Sequence, residues 1–519
     1  MPTSSSPPQV DAQTHKRNAE TALASDAPAL EANADQRTHS HAPPSELEAP
    51  KQRKKKQRKE IKFSHRNRAN QDTETPHAGS YATRSMRALF NVELPELSPA
   101  SAATSSAADT TADTTAADTA AAAADTVTAV HDESTKLNTD APDDAHDNGS
   151  NKKAKKRAAF FMGYLGTNYT GFQMNEDQRT LQAEFELALF RSHLISEQNF
   201  GYPNKYGWST SGRTDKGVHA CAQVCSAKIE LAPDQTVEQV RDTLNQHLPA
   251  DLRVLDVVKV TRTFCAKTQR DRVRYQYMIP SFVLMDPAKL ASIFTTAGCT
   301  AQGRSPSNPL TADEVALIQS HVKDYRATLE QREQLKKALQ VFEGTHSFHN
   351  YAKGVGAKEA RAQRYIESFQ VEDPVVFENG MEWIPTQVLG QSFLLNQIRK
   401  MVCMAMDVAR GVAPLETVEK GLSKDNDIRV NLAPAQGLYM EMAYYGGYNR
   451  RKQKNPELKD LDWTDEKSAV YQRWKEFRNG TLMKHVGEEE EREGNFVKYA
   501  FVQDFISKPR RMYQLEDES

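Results

Sequence analysis

Apolar residues are distributed very unevenly along this chain of 519 residues. Residues 1–150 contain almost no apolar clusters, whereas residues 158–448 are rich in them. A segment that buries little apolar surface cannot offset the entropy lost on ordering, so we expect the first region to be a long disordered tail. The mean hydropathy of −0.70, which is low for a fully globular chain, agrees with this division.

Strand-like and helical patterns alternate through the apolar region without a strict strand–helix–strand rhythm. Period-two runs or short apolar runs predict strands at 158–164, 218–229, 253–260, 272–279, 364–371, 382–389 and 438–445. Apolar residues at helical spacing predict helices at 180–193, 236–247, 311–342 and 393–409, and residues 281–310 have the composition of a loop. This order favours an α+β fold built in layers.

Three classes of protein are disfavoured by the composition. No stretch approaches 18 consecutive apolar residues, so we expect neither a membrane-spanning helix nor a membrane partner. The first residues lack a charged segment followed by an apolar one, and a cleaved secretion signal is therefore not expected. Five cysteines are too few for a disulfide framework in a chain of this length, which indicates a reducing compartment.

The formal net charge of −2 conceals an asymmetry. Lys and Arg minus Asp and Glu gives −6 for residues 1–150, +5 for 151–450 and −1 for 451–519. The basic middle fits a polyanionic partner. Two compact basic runs, at 51–59 and 152–157, predict recognition by the nuclear import machinery and hence a nuclear location, or else non-specific phosphate contacts. The alternative is that these runs are solvated charges without a binding partner.

The most informative stretch is GRTDKGVHA at residues 212–220. It is a loop bracketed by glycines that places the Asp215 carboxylate between the cations Arg213 and Lys216. Neighbouring cations keep a carboxylate ionised, which suits a nucleophile, a base or a group that stabilises positive charge. Taken alone, the pattern is more typical of an ion-paired turn.

The same stretch resembles the signature of the tRNA pseudouridine synthase A family, in which the matching aspartate is catalytic. Further motifs of that family follow in family order, at 264–277, 344–351, 390–402 and 434–439. The second and third of these are most similar to the eukaryotic, nuclear, multisite tRNA branch. The resemblance implies the pseudouridine synthase fold: a mixed, mainly antiparallel sheet flanked by helices, with two similar halves around a basic cleft.

The resemblance, together with the positive charge expected around the cleft, assigns roles to eight residues. In catalysis, Asp215 does the bond chemistry, Arg399 pairs with that aspartate and Tyr275 lies against the target base. A buried arginine is costly unless it is paired, which independently favours a carboxylate partner for Arg399. The residues expected to bind substrate are Arg213, Lys216, Arg272, Arg274 and Leu438; Arg213 would wedge into the helix stack where the base leaves, and the other cations would hold phosphates.

No cofactor and no metal ion are expected. The implied reaction is redox-neutral and the substrate supplies every atom, and the chain shows neither a dinucleotide fingerprint nor a P-loop. His219, Cys221 and Cys225 would share one face of a strand, but a fourth ligand is missing nearby and small cysteines are common core residues. His346 and His349 are interpreted as structural residues or RNA contacts.

We therefore divide the chain into four parts: a tail at 1–157, an N-terminal catalytic half at 158–265, a C-terminal catalytic half at 266–449, and a charged, partly helical extension at 450–519. The expected partner is tRNA, with other structured RNA as a further substrate class. Three alternatives remain: a non-catalytic RNA-binding or RNA-folding protein on the same scaffold, the related branch that modifies positions 38 and 39 of tRNA, and a chromatin or DNA-binding protein. The sequence leaves open the modified uridines, the route through a glycal or an acylal, and the oligomeric state.

Overall fold

The computed structural model describes residues 153–175 and 178–506. The predicted disordered tail up to residue 152, and with it the basic run at 51–59, lies outside the described residues. The strands of the described part are β1 (Ala154–Tyr164), β2 (Ser209–Thr210), β3 (His219–Leu231), β4 (Leu252–Lys259), β5 (Arg272–Pro280), β6 (Gly344–Ser347), β7 (Gln363–Val371), β8 (Val375–Val376), β9 (Glu382–Gly390) and β10 (Leu438–Tyr444).

The α-helices form two groups, one before residue 450 and one in the extension. Those of the first group are α1 (Leu181–Arg191), α2 (Val237–His247), α3 (Pro287–Thr296), α4 (Ala312–Val322), α5 (Leu329–Gln340), α6 (Gln397–Ala409), α7 (Glu416–Leu422) and α8 (Gly446–Arg451). Those of the extension are α9 (Ala469–Glu476), α10 (Lys484–Glu493) and α11 (Asn495–Phe501). A π-helical segment, Phe477–Met483, makes α9 and α10 continuous.

The strands form a single mixed sheet in the order β4-β1-β3-β10-β5-β9-β7-β6, with β2 beside β3 and β8 beside β9. Every neighbouring pair is antiparallel except β3 and β10, which are parallel and place His219 opposite Tyr439. The prediction of a mixed, mainly antiparallel sheet flanked by helices in an α+β fold is confirmed. The sheet runs without interruption across the predicted boundary at residues 265 and 266.

The two faces of the sheet are covered differently. We call the face that carries the Tyr164 and Tyr275 side chains the near face, and the opposite one the far face. The extension covers the far face. Trp463 stacks on Phe161 with ring centroids 4.4 Å apart. The Phe477 ring lies over Gly163 so closely that a Cβ there would be 2.5 Å from it. The candidate functional residues on the loops lie at the near face.

Three local predictions about secondary structure were wrong. Residues 281–310 are not all loop, because Pro287 is the first residue of α3 and Asp286 caps that helix, accepting the Ala288 N–H at 2.9 Å. Proline is favoured at this position, since its missing N–H has no partner there anyway. The predicted helix from residue 393 begins only at Gln397, because Asn396 adopts a left-handed conformation with φ of 65°.

The third difference concerns the basic run at 152–157. β1 begins at Ala154, so the end of the predicted tail is a strand. Lys155 lies 3.6 Å from a carboxylate oxygen of Glu230, and Arg157 Nε donates to the Phe264 carbonyl at 2.8 Å. Within residues 153–175 and 178–506, no helix combines the length and the apolar character needed to cross a membrane.

Candidate active site

The loop that carries Asp215 is held by contacts with buried residues of β1 and of the segment at 171–172. The hydroxyl groups of Thr214 and Tyr164 hydrogen-bond at 2.9 Å, and the Phe172 N–H donates to the Thr214 carbonyl at 3.1 Å. Gly171 has φ of +108° and packs against the same loop, so that a Cβ there would lie 3.6 Å from the carbonyl carbon of Asp215. These contacts hold the Asp215 backbone at the near face.

The Asp215 carboxylate lies in a field of positive charge. The residue is half-buried, and burial raises the pKa of its carboxyl above the ordinary value. The nearby charges of Arg399 and Lys353 act in the opposite direction and lower that pKa. Two cations therefore favour the ionised form that nucleophilic or general-base chemistry requires, against the cost of desolvation.

Tyr275 lies beside the same loop. Its residue is 9% exposed, and a Cβ on Gly212 would lie 3.5 Å from the Tyr275 hydroxyl oxygen. Burial raises the pKa of Tyr275 to about 12, with the positive charge of Arg270 opposing the shift and the negative charge of Asp215 adding to it. Its ring meets that of Phe393 edge to face at 5.5 Å. Tyr275 is thus a neutral phenol in a fixed orientation near the carboxylate.

Arg399 on α6 is held by the turn that leads into β10. Its Nε donates to the Ala433 carbonyl at 2.7 Å, and the Tyr277 hydroxyl donates to the Pro434 carbonyl at 2.8 Å. Burial lowers the pKa of Arg399, while Tyr277 and Asp215 raise it. Leu438, at the end of the turn, is 6% exposed and lies opposite Tyr277 in the β10–β5 pair. The structure thus brings Asp215, Tyr275, Arg399 and Leu438 to one face.

Two further residues of the site were missed in the sequence. Arg270 donates one guanidinium N–H to the Ser211 carbonyl and another, at 2.9 Å, to the Gln391 carbonyl. It thereby ties the segment before Asp215 to the loop before Arg399. Lys353 donates its backbone N–H to the Leu395 carbonyl at 3.1 Å, and its side-chain charge acts on Asp215. Both lie in or just after quoted motifs, but no local pattern distinguishes them there.

The other predicted substrate-binding residues are placed differently. Arg213 and Lys216 flank Asp215 and are exposed. Arg272 and Arg274 alternate with Tyr275 along β5, and successive side chains of a strand point to opposite faces. Arg274 lies 2.7 Å from a carboxylate oxygen of the buried Glu441 on the far face. A contact of Arg272 or Arg274 with RNA stays a prediction, and it would have to be made from the far face.

One group of side chains in the described residues has atoms placed for a metal ion. Ligand atoms of His219, His485 and Glu489 lie within 4.8 Å of one another. Hydrogen bonds already occupy several of these atoms: the Gly166 N–H donates to His219 Nδ1 at 3.0 Å, and the Thr167 hydroxyl donates to Glu489 at 2.8 Å. The expectation that a metal ion is absent therefore stays a prediction.

The sequence grouped His219 with Cys221 and Cys225 on one face of a strand, and this was wrong. The register between β1 and β3 is irregular at Met162 and Tyr164, which inserts an extra residue into β3. Such a bulge reverses the facing of the residues beyond it. Cys221 consequently lies near Glu441 on the far face, whereas Cys225 lies near Tyr164 on the near face.

The arrangement has the parts of an enzyme that acts on a planar group. It offers a carboxylate for nucleophilic or base chemistry, a cation that stabilises this carboxylate, and an aromatic ring on which a planar group can stack.

Comparisons with known proteins identify the family. The family model described as "tRNA pseudouridine synthase" matches residues 338–446. The "tRNA pseudouridine(27/28) synthase" of Saccharomyces cerevisiae is 32% identical over 322 residues, which cover 56% of this chain and 84% of the yeast protein. The mouse "Pseudouridylate synthase 1 homolog" is 31% identical over 322 residues, covering 62% and 68% of the two chains. The "tRNA pseudouridine synthase 1" of Yarrowia lipolytica is 29% identical over 355 residues, and this chain covers 66% of it.

The chain therefore belongs to the tRNA pseudouridine synthase family. The resemblance found in the motifs is confirmed, and these relatives place the chain with the eukaryotic multisite tRNA branch.

Proposed function

We propose that this protein isomerises specific uridines in tRNA to pseudouridine and that Asp215 does the bond chemistry. The observation that carries the proposal is the Asp215 carboxylate itself. It is half-buried on the near face, in the field of Arg399 and Lys353 and next to the Tyr275 ring. A protein that only bound RNA would have no use for a desolvated carboxylate facing its ligand.

The reaction detaches uracil from C1′ of the ribose, turns it, and reattaches it through C5, with loss of the C5 proton. Positive charge develops on the sugar and negative charge on the base as the glycosidic bond breaks. The Asp215 carboxylate can attack C1′ or remove the 2′ proton to give a glycal. Both routes require the ionised carboxylate, which the charges of Arg399 and Lys353 favour. The product has the same composition as the substrate, because the C5 proton leaves to water and N1, freed from C1′, takes up a proton.

The target uridine must leave its stack before it can reach Asp215. Extruding a base costs a few kcal/mol, and stacking on an aromatic side chain returns roughly 1–3 kcal/mol. Tyr275 offers such a ring, held edge to face against Phe393. Because its pKa is about 12, the phenol stays protonated at neutral pH and does not compete with Asp215 as a base. Arg213 and Lys216 hold the phosphates, and their exposure to solvent on either side of Asp215 supports this part of the proposal.

We further propose that the protein works in the nucleus and that the basic run at 51–59 directs it there. The second basic run is a weaker candidate because residues 154–157 belong to β1 and Arg157 is bonded to Phe264. Replacing the basic residues of 51–59 with alanine in a tagged protein should spread it into the cytoplasm. Unchanged nuclear accumulation would contradict this proposal.

The function is tested by adding the purified full chain to a tRNA transcript that carries 5-tritiated uridine. The proposal predicts release of tritium to water and new pseudouridines at defined positions when the product is mapped. Asp215→Asn protein, purified in parallel, controls for a contaminating synthase. Tight binding of the transcript in a filter assay without tritium release would contradict the proposal and favour the non-catalytic RNA-binding alternative.

A further inference from the structure

The C-terminal extension contacts the segments around the active site through two helices, α10 and α11, and α10 approaches them from the far face. Neighbouring residues on α10 contact two different segments. Glu489 and His485 contact the segment at Gly166 and Thr167, which packs against the strand after Asp215. Glu490 contacts the turn at 433–437, which holds Arg399.

Glu490 is a carboxylate with no exposed surface. It accepts the side-chain amide N–H of Gln436 at 2.7 Å, and the backbone N–H groups of Phe496 and Val497 at 2.9 and 3.2 Å. Asn495 donates to the oxygen of the same Gln436 amide. Both ends of the Gln436 side chain are therefore fixed by residues of the extension.

Gln436 belongs to the turn whose carbonyl groups accept hydrogen bonds from Arg399 and Tyr277. Ala433 O accepts from Arg399 Nε at 2.7 Å, and Pro434 O accepts from the Tyr277 hydroxyl at 2.8 Å. Gln436 itself is 3% exposed, so its position is set by packing as well as by these bonds. A continuous path of contacts leads from Glu490 through Gln436 and the turn to the Arg399 guanidinium.

We propose that Glu490 is a positioning residue, which through Gln436 sets the place of the Arg399 guanidinium relative to the Asp215 carboxylate. This inference rests on the function proposed above. Glu490 does not contact the reacting groups. In this role the extension supports the geometry of the active site, in addition to packing against the far face.

The Glu490→Gln substitution would keep the volume of the side chain and change its hydrogen bonding. The new NH₂ group would face N–H donors of Gln436, Phe496 or Val497, so at least one contact would become repulsive. The turn would loosen, and Arg399 would no longer be held at its present place. Small displacements of catalytic groups cost up to about 100-fold in rate.

The displacement has a signature in the pH profile. Arg399 lowers the pKa of Asp215, so a displaced Arg399 would raise it and move the acid limb of the rate profile to higher pH. Other titratable groups surround Glu490: Glu489 lies next to it in α10, and His485 and His219 pack nearby. Glu490 itself has a pKa raised by burial to about 7, and the Gln436 amide lowers that pKa. Glu490→Gln removes this titration whereas Gln436→Ala raises its pKa further, so a movement of the acid limb shared by both variants reports the displacement of Arg399 and not the titration of Glu490.

The experiment compares tritium release across pH for the full chain and for Glu490→Gln and Gln436→Ala. Trp463→Leu is the matched control: it lies in the same extension and stacks on Phe161, without contact to the turn. We expect the two test variants to lose about 10-fold to 100-fold in kcat with tRNA affinity unchanged, and their acid limbs to move up by about half a pH unit or more. Trp463→Leu should lower the Tm and leave the acid limb in place.

The outcomes separate this inference from the function on which it rests. If Asp215→Asn keeps releasing tritium, the proposed function fails. If Asp215→Asn is inactive while both test variants keep the wild-type acid limb, the positioning role alone is overturned, whatever happens to their stability. Should Glu490→Gln fail to fold, an acid limb that does not move in Gln436→Ala overturns the role by itself.

Discussion

Two clusters of charged side chains lie on opposite faces of the same two strands, β5 and β10. On the far face, Glu441 is 4% exposed and lies 2.7 Å from Arg274 and 3.6 Å from Arg478. On the near face, Asp215 is half-buried and is influenced by Arg399 through its charge. Both clusters contain a carboxylate and arginine, but the two carboxylates differ in burial and in their partners.

The far cluster is closed by the protein's own groups. Gln387 donates a further bond to Glu441 at 3.3 Å, and the Arg478 guanidinium also donates to the Gln276 side chain at 2.8 Å. At the near cluster, the Arg399 Nε–H donates to the Ala433 carbonyl, and burial raises the pKa of the Asp215 carboxyl. The Glu441 carboxylate is buried beside cations of the protein itself and is expected to stabilise the fold, whereas the half-buried Asp215 carboxylate is available to a substrate.

The largest effect on stability is expected from Glu441→Gln. It would remove the carboxylate that lies within 4 Å of Arg274 and Arg478 and leave them the charge of Glu372, and breaking a buried pair by removing one partner costs several kcal/mol. We expect the free energy of unfolding to fall by about 3 kcal/mol, the low end for such pairs, because both guanidinium groups keep partial exposure. Urea unfolding measures this, and a loss within experimental error would show that the far cluster is not structural.

Arg399→Gln addresses the near cluster in the same way. Removing the cation takes away a charge that lowers the pKa of Asp215, so that pKa rises. The acid limb of the tritium-release profile should move to higher pH by about one unit, with a lower plateau, since an opposite charge nearby shifts a carboxyl pKa by about 1–3 units. An unshifted limb would mean that Arg399 acts on the substrate and not on Asp215.

Tyr275 tests whether the near face binds a planar base. Tyr275→Phe keeps the ring and should retain most of the activity, whereas Tyr275→Ala should lose the roughly 1–3 kcal/mol of a stacked base, about 10-fold or more in kcat/KM. Equal losses in the two variants would assign the role to the hydroxyl group instead of the ring.

The smallest effect concerns Glu186, a buried carboxyl far from both clusters in sequence. Burial raises its pKa to about 7, although the Tyr206 hydroxyl and the Gly201 N–H donate to it. The folded state therefore binds a proton that the unfolded state releases near pH 4.5, and stability should fall as the pH rises from about 5 to about 7. In urea unfolding, Glu186→Gln should reduce this fall of stability with pH. The reduction should be partial, because Glu490 also has a pKa of about 7 and contributes to the same fall. An unchanged slope would contradict the shift.

Much of the fold followed from local patterns in the sequence. Alternation gave the strands of the sheet, and the glycine-bracketed motif gave Asp215. Local patterns failed in two places. Proline is common in loops and also at the first position of a helix, and Pro287 begins a helix. The bulge in β3 cannot be seen in the alternation of its residues, and it turns Cys225 to the opposite face from Cys221. The far-face position of Arg274 could have been read from its alternation with Tyr275.

The missed parts of the site are contacts between distant segments. Arg270 and Gln391 are 121 positions apart, and Gln436 and Glu490 are 54 apart. Hydrogen bonds of this kind depend on how the strands are ordered in the sheet, and hydrophobic periodicity carries no information on that order. Lys353 is likewise brought to Asp215 only by the folding of its loop against Leu395.

The most direct test is a single-turnover measurement on two isosteric variants of the two carboxylates, Asp215→Asn and Glu441→Gln. Each enzyme is mixed in excess over 5-tritiated tRNA at a temperature below its own Tm, and tritium release is followed over time. A filter-binding titration at the same fixed salt concentration measures its affinity for tRNA. We expect Asp215→Asn to bind tRNA with near wild-type affinity and to release no tritium, while folded Glu441→Gln should release it at a rate close to that of the unmodified chain. Tritium release by Asp215→Asn at near wild-type rate would show that Asp215 does not do the bond chemistry.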